Sequence, residues 1–314
     1  MQKLLPLFLK TLGVFLVSVG MVAAYYGPLE LFVFYLFSQG GQFYYEGFGV
    51  GSFWFAALVL QNIGYYVIAA LCLPVGIGHI KLRCWALPLT RLFLCFWLGA
   101  GILLIGNGVG LIPALLASGA GAENLLFQLF LVGAASISFL VLLPAAALWW
   151  YGRACVCTAF TAAPERPSWP ETYPFPLLAV LLLFAAMIAA LHVAMFLQAA
   201  FPLFGRIQFG RPSAYLIALC VVILGVLMYG IVKLKRWAWW GAIVFVALLA
   251  VSSAMTFTRY RFLDLIQMMN LPAYEMAFIG RMTVLHDFRL AGLVVVPLLV
   301  ALALLIYSKR YLAR

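Results

Sequence analysis

Eight apolar runs, each long enough to cross a bilayer, alternate along the chain with short polar segments. A transmembrane α-helix needs about 20 mostly apolar residues, and these runs lack the polar-apolar alternation of strands in a membrane barrel. The pattern predicts an all-α fold, a polytopic transmembrane bundle of about eight helices. The predicted helices cover about 7–26, 57–80, 85–106, 125–150, 177–200, 213–232, 237–257 and 290–307.

Prolines mark the ends of two predicted helices. Gly27-Pro28 interrupts the first apolar run, so the first helix is predicted to stop at Tyr26. The next stretch, 29–53, is rich in glycine and aromatic residues, which favours an interfacial hairpin at the membrane boundary. The fifth helix is likewise predicted to end before Pro202.

Two basic segments have nearly the same sequence. GHIKLRCWA at 78–86 and GIVKLKRWA at 230–238 lie 152 positions apart, and Pro144 and Pro297 lie 153 positions apart. Two landmarks at almost one spacing predict a tandem duplication of a four-helix unit. The predicted domains are a first repeat at 1–153, a Pro-rich cytoplasmic linker at 154–176 and a second repeat at 177–314. Because each repeat has an even number of helices, the two repeats are expected to be parallel.

The net charge of +11 comes from 19 basic and 8 acidic residues. The basic residues gather at the ends of apolar runs, which is a signal of membrane topology and not of nucleic-acid binding. Eight helices place both termini on one side, and that side holds 13 of the 19 basic residues. The chain is therefore predicted to lie in a cytoplasmic (inner) membrane of bacterial type, with both termini cytoplasmic. The residues expected to contact anionic lipid headgroups are Lys81, Arg83, Trp85, Lys233, Lys235, Arg236 and Trp237.

The outer loop from 259 to 289 offers the clearest functional signal. Polar residues recur there every three positions from Arg261, with apolar residues between them, which predicts a short helix lying on the membrane surface. The neighbourhood is also rich in methionine, a residue typical of adaptable binding surfaces. One interpretation is a platform on which a partner protein docks; the alternative is a cap that folds back on its own bundle. The platform would consist of Arg261, Asp264, Met268, Met269, Tyr274, Met276 and Met282.

His192 lies inside the fifth predicted helix, and an ionisable group at that depth is a functional candidate. It is open to three interpretations: a ligand of a haem or chlorophyll-type metal, a proton relay, or a hydrogen bond to a neighbouring helix. His79 is predicted at the cytoplasmic end of a helix and His286 in an outer loop, so neither supplies a second membrane ligand. The hydrogen bond between helices is therefore favoured. The sequence requires no cofactor.

Three other groups have simple interpretations. Arg91 is expected to extend its head to the membrane surface. Cys155 and Cys157 are expected to be packing residues, with a metal or redox pair as the alternative. His286-Asp287 can be assembled into an acid/base site only with acidic residues from elsewhere, and none of the common catalytic motifs occurs. The protein is therefore predicted not to be an enzyme.

Scarce polar chemistry inside the helices and small aqueous segments favour a supporting role in the membrane. The predicted function is a non-catalytic integral membrane subunit that assembles or anchors a larger membrane complex through its outer loops. Its expected partners are membrane lipids and other membrane protein subunits, without nucleic acid. One alternative is a transporter or binder of an apolar or lipid-like small molecule, and another is a haem- or chlorophyll-binding subunit that uses His192.

Overall fold

The computed structural model describes residues 4–38, 41–43, 52–109, 122–161, 173–196, 199–269, 276 and 290–312. The helices are α1 Leu5–Phe37, α2 Phe53–Ile80, α3 Ala86–Val109, α4 Ala122–Ile137, α5 Leu143–Tyr151, α6 Ala154–Thr161, α7 Phe175–Phe196, α8 Arg211–Val232, α9 Arg236–Phe257, α10 Phe262–Met268 and α11 Ala291–Leu312. A π-helical turn, Ser138–Leu142, joins α4 to α5. Strands β1 Phe201–Leu203 and β2 Arg206–Gln208 form an antiparallel hairpin.

Within the described ranges, eight helical segments are long and apolar enough to cross a membrane. They are α1, α2, α3, the segment Leu129–Tyr151, α7, α8, α9 and α11. This confirms the predicted all-α, polytopic membrane fold. Large apolar side chains on these segments are exposed, as on α8 at Leu219, Val222 and Val226, and such a surface is stable against lipid tails but not against water.

The prediction that the first helix stops at Tyr26 is wrong. Helix α1 passes through Pro28 and continues to Phe37, so residues 29–37 are helical and not part of an interfacial hairpin. Proline removes one backbone hydrogen bond, which membrane helices tolerate when neighbouring groups pack around the break. Gly27 is buried against Tyr66 of α2, so α1 is packed on α2 directly before the proline. Residues 39–40 and 44–51 of the predicted hairpin lie outside the described residues.

Glycines spaced seven residues apart allow α1 and α2 to pack backbone against backbone. Gly13, Gly20 and Gly27 are buried on α1. A Cβ atom added at Gly13 would lie 2.7 Å from the carbonyl oxygen of Gly76, and one added at Gly20 would lie 2.8 Å from Leu73. Small residues at helix contacts in membranes let the backbones approach and gain van der Waals packing. The row of glycines therefore holds α1 on α2.

The two basic turns have the same backbone structure. Leu82 and Leu234 both adopt left-handed conformations, with φ of 51° and 53°. The N–H of the next residue donates to the carbonyl of the glycine that opens the turn, at 2.8 Å for Gly78 and 2.9 Å for Gly230. This six-residue closure is the Schellman ending of an α-helix. Each turn therefore ends one membrane helix and allows the next to begin within a few residues.

The residues that the two turns share follow from this geometry. A Cβ at Gly78 would lie 2.6 Å from the Cβ of Ala86, and a Cβ at Gly230 would overlap with Ala238. Glycine is needed at the start of each turn because the tryptophan and alanine at its end pack over it. This explains the similarity of the two segments as local structure. The duplication of the whole four-helix unit, with its parallel arrangement, stays a prediction.

The π-helical turn has an identifiable cause. Pro144 has no N–H to donate to the carbonyl of Leu140, four residues earlier. That carbonyl lies against Gly101 of α3, where any side chain would overlap with it. The proline and the glycine together let α3 approach the distorted segment closely.

Contacts divide the chain into two compact units. The first comprises Met1–Leu36, Leu60–Ile105 and Gln128–Phe175, and the second comprises Phe37–Val59, Gly106–Phe127 and Pro176–Arg314. The predicted domain boundaries at 153 and 177 remain predictions. Residues 154–161, predicted as the start of the linker, form α6, and its Pro-rich part at 162–172 lies outside the described residues.

Each unit has its own apolar core. In the first unit, Leu9, Ala86, Val156 and Phe160 are fully buried in one cluster. In the second unit, α9 packs on α11, where the buried indole N–H of Trp239 donates to the Leu305 carbonyl at 2.7 Å. A tryptophan buried in this way satisfies its one polar group while filling a large volume.

Candidate functional site

An apolar cavity of about 380 Å³ lies in the second unit. Its walls are formed by α7, between Leu183 and Ala194, by the last third of α9, by the start of α11 and by β1. Leu249 and Phe257 line it from α9, and Leu293 and Pro297 line it from α11. The cavity therefore extends from the middle of α7 to the membrane boundary where α9 ends and α11 begins.

Small residues on α7 create the space. Ala186, Ala190 and Ala194 are spaced four residues apart, so they lie one above another on the same face of the helix. All three line the cavity, and the first two are nevertheless exposed. A cavity whose lining residues are exposed is open to its surroundings. Since α7 is a candidate membrane span, the surroundings are lipid.

A short hairpin borders one end of the cavity and is hydrogen-bonded to α9. The buried hydroxyl of Ser252 accepts the Phe204 N–H and donates to the Pro202 carbonyl, both at 2.9 Å. The buried hydroxyl of Thr256 accepts the Gly205 N–H at 2.9 Å. These three bonds satisfy the polar groups of the hairpin in an apolar setting, where unpaired groups are costly. The position of β1 against the cavity is therefore fixed by α9.

The hairpin was not predicted from the sequence. Phe204 and Gly205 form the turn between the two strands, with left-handed φ of 42° and 88°. The glycine of this pair is the one sequence feature that indicates the turn. Two-residue hairpin turns of this kind need positive φ at both positions, which glycine supplies without strain. Each strand has only three residues, too few for an alternating pattern to stand out.

In the first unit, the buried side chain of His79 is hydrogen-bonded through both ring nitrogens. Its side chain is 0% exposed, with Nε2 2.7 Å from the Tyr151 hydroxyl and Nδ1 2.8 Å from the Val75 carbonyl. A carbonyl only accepts, so Nδ1 carries the hydrogen and Nε2 accepts from the tyrosine. The ring also packs edge-on against Phe160. Both ring nitrogens are used, which makes His79 a structural residue in this arrangement.

Arg91 contributes to the same region. Its guanidinium donates to the carbonyl of Tyr151 at 2.5 Å and lies 3.2 Å from the Sγ of Cys157. The head group that was expected to extend to the membrane surface is thus bonded to the end of α5. Cys157, expected to be a packing residue, is a hydrogen-bond partner of this arginine, whereas Cys155 is exposed.

A separate group of polar side chains joins α1 to α2. Glu30 accepts hydrogen bonds from Gln61 Nε2 at 2.9 Å and from the Tyr65 hydroxyl at 2.7 Å. A second cavity, of about 430 Å³, lies beside it and is lined by Tyr26 and Tyr65 among other residues. The Glu30 cluster stabilises the helix pair whose glycines are described above.

Helix α10 confirms that a short helix follows Arg261, while its position on the membrane surface stays a prediction. It begins after Arg261, whose backbone N–H donates to Asp264 Oδ2 at 2.8 Å. Met269 is buried in a cluster of the second unit, and Met276 packs against it. Met268, by contrast, is 42% exposed. For Met269 and Met276, this placement fits a cap better than a docking platform.

Other predicted site residues have simple positions. Tyr274 and Met282 lie outside the described residues. Among the headgroup candidates, Lys81 is exposed while Arg83 and Trp85 are partly buried. The remaining candidates are exposed: Lys233, Lys235, Arg236 and Trp237.

His192 is exposed on α7, and its Nδ1 lies 2.7 Å from the Ile188 carbonyl of the same helix. In the described part of the chain the ring bonds to its own helix, and the predicted hydrogen bond to a neighbouring helix stays a prediction. His192 lies between Leu191 and Ala194, which line the cavity, but its side chain is not part of the lining. Within the described residues, no group of three His, Cys, Asp or Glu side chains is placed to hold a metal ion.

The chain matches no family model, no curated protein and no solved structure. Its function therefore has to be argued from the cavity and the groups around it.

Proposed function

We propose that this integral membrane protein binds an elongated apolar or lipid-like molecule in the cavity of its second unit. The main support is an apolar cavity of about 380 Å³ that opens to its surroundings along the alanines of α7. Pockets for small ligands have volumes of about 300–1,000 Å³ and are mostly apolar. Within a membrane span, the occupant that matches such a space is an alkyl chain.

The chemistry of the walls supports an apolar ligand. None of the described residues that line the cavity is charged, and Ser253 carries the one hydroxyl among them. Moving an amide or hydroxyl group into such a space without a compensating hydrogen bond would cost on the order of 2–7 kcal/mol, and a charged group would cost far more. The proposed role is therefore binding or carrying of a lipid-like molecule, without a catalytic step.

Assembly of a larger membrane complex, the other function predicted from the sequence, stays a prediction. Met268 is the exposed methionine of the predicted platform among the described residues, since Met269 and Met276 pack into the chain itself. We also place the protein in an inner membrane with cytoplasmic termini, because 13 of 19 basic residues are assigned to that side.

Filling the cavity is expected to weaken binding. Ala190→Phe would place a ring in the space where an alkyl chain would lie, so saturable binding of tritiated hexadecanol to the purified protein should weaken at least about tenfold. Ala185→Phe is the matched control, because Ala185 is exposed on the same helix and does not line the cavity. Equal hexadecanol binding by the two variants would refute the proposed function.

A further inference from the structure

Arg259 lies beside the hairpin that borders one end of the cavity. Phe257, two residues earlier, lines the cavity from α9, and Pro202 lines it from β1. The Arg259 guanidinium packs so closely over Gly205 that a Cβ atom there would lie 2.8 Å from Nη1. The N–H of Arg259 donates to the Thr256 carbonyl at 3.0 Å, which keeps the residue within one turn of the cavity wall.

Positive charge gathers at that end. Arg206 follows Gly205 in the hairpin, and both Arg206 and Arg259 are exposed. Neither guanidinium group has a hydrogen bond or ion pair with any residue in the described part of the chain. The carboxylate of Asp264, five residues after Arg259, accepts the Arg261 N–H. The two arginines thus offer donors to an anion from outside the chain, and guanidinium groups fit phosphate particularly well.

An apolar cavity and a pair of arginines at its end require a ligand with two parts. A neutral alkane or alcohol would fill the cavity and leave the arginines unused. Inorganic phosphate would bind the arginines and leave the cavity unused. An amphiphile with one alkyl chain and an anionic head group satisfies both.

We propose that the cavity binds an anionic lipid, with an alkyl chain between α7, α9 and α11 and a phosphate-type head group on Arg259 and Arg206. This inference rests on the proposed function and adds the class of ligand. The two predicted outer segments of the second half, 199–212 and 258–290, hold six arginines against three acidic residues, which adds a general attraction for such a head group.

The test compares two probes that share one tail. The full-length protein in a neutral detergent is titrated with hexadecyl phosphate and with hexadecanol. Hexadecyl phosphate should bind about tenfold more tightly, the ratio that corresponds to 1.4 kcal/mol. Arg259→Gln should remove most of this preference while hexadecanol binding stays unchanged, which also shows that the variant is folded. Lys233→Gln is the control, since it removes an exposed positive charge at the other end of α8.

The outcomes separate the two proposals. If hexadecanol binds saturably but Arg259→Gln leaves the preference for hexadecyl phosphate unchanged, the head-group assignment is overturned and the cavity function stands. If neither probe binds saturably, the proposed function fails as well. Inorganic phosphate, added as a competitor, should displace little hexadecyl phosphate. Complete displacement at equal concentration would show an anion site independent of the cavity and would overturn the inference.

Discussion

Replacing His79 by alanine should lower the free energy of unfolding by about 3 kcal/mol or more. The substitution removes a fully buried ring and leaves the Tyr151 hydroxyl without its partner in the core of the first unit. Tyr151→Phe keeps the volume and removes only the hydroxyl, so a smaller loss of about 1–3 kcal/mol is expected. Unfolding can be followed by tryptophan fluorescence during titration of mixed micelles with sodium dodecyl sulfate.

The matched control is the other membrane histidine. His192→Ala should change the free energy of unfolding by no more than about 0.5 kcal/mol, because the ring is exposed and bonds only to its own helix. The ranking of the two variants is the important result. If His192→Ala were the more destabilising variant, the assignment of His79 as the buried histidine that stabilises the first unit would be wrong.

The second large effect is expected at the contact of α1 with α2. Gly13→Ala should cost about 1–3 kcal/mol, at the upper end of the range for overpacking, because its Cβ would meet backbone atoms that cannot rotate away. The nearest are the Gly76 carbonyl oxygen at 2.7 Å and the Ile80 nitrogen at 2.8 Å. The same detergent titration measures the loss.

Gly64→Ala provides the comparison on α2, because a Cβ there meets nothing within 4 Å. Alanine has a helix propensity about 1 kcal/mol better than glycine, so this variant should be neutral or slightly more stable. Similar losses at both positions would mean that glycine acts through helix propensity and not through a close contact between helices.

The membrane spans could be predicted because hydrophobic length is a property of each segment by itself. The end of α2 at Ile80 and the start of α9 at Arg236 were predicted to within one residue, since basic residues and Trp237 mark the boundary. Pro28 misled the prediction because a proline ends helices in water, whereas a buried neighbour such as Gly27 lets α1 continue in the membrane.

The important interior contacts could not be read from the sequence. His79 and Tyr151 are 72 residues apart, and nothing local to either residue indicates that they meet. The sequence drew attention to His192 because depth in a helix is visible in a sequence, whereas burial is not. The cavity was equally hidden, since alanines such as Ala186 and Ala190 line a space only when the neighbouring helices leave it open.

The most direct measurement of the central claim is photocrosslinking in a bilayer with a hexadecanol analogue that carries a diazirine on its chain. Labelling should concentrate on the cavity walls, in α7 between Leu183 and Ala194 and near Pro297 of α11, and should be competed away by unlabelled hexadecanol. Labelling spread evenly over lipid-facing side chains such as Leu219 and Val222, without competition, would contradict the account.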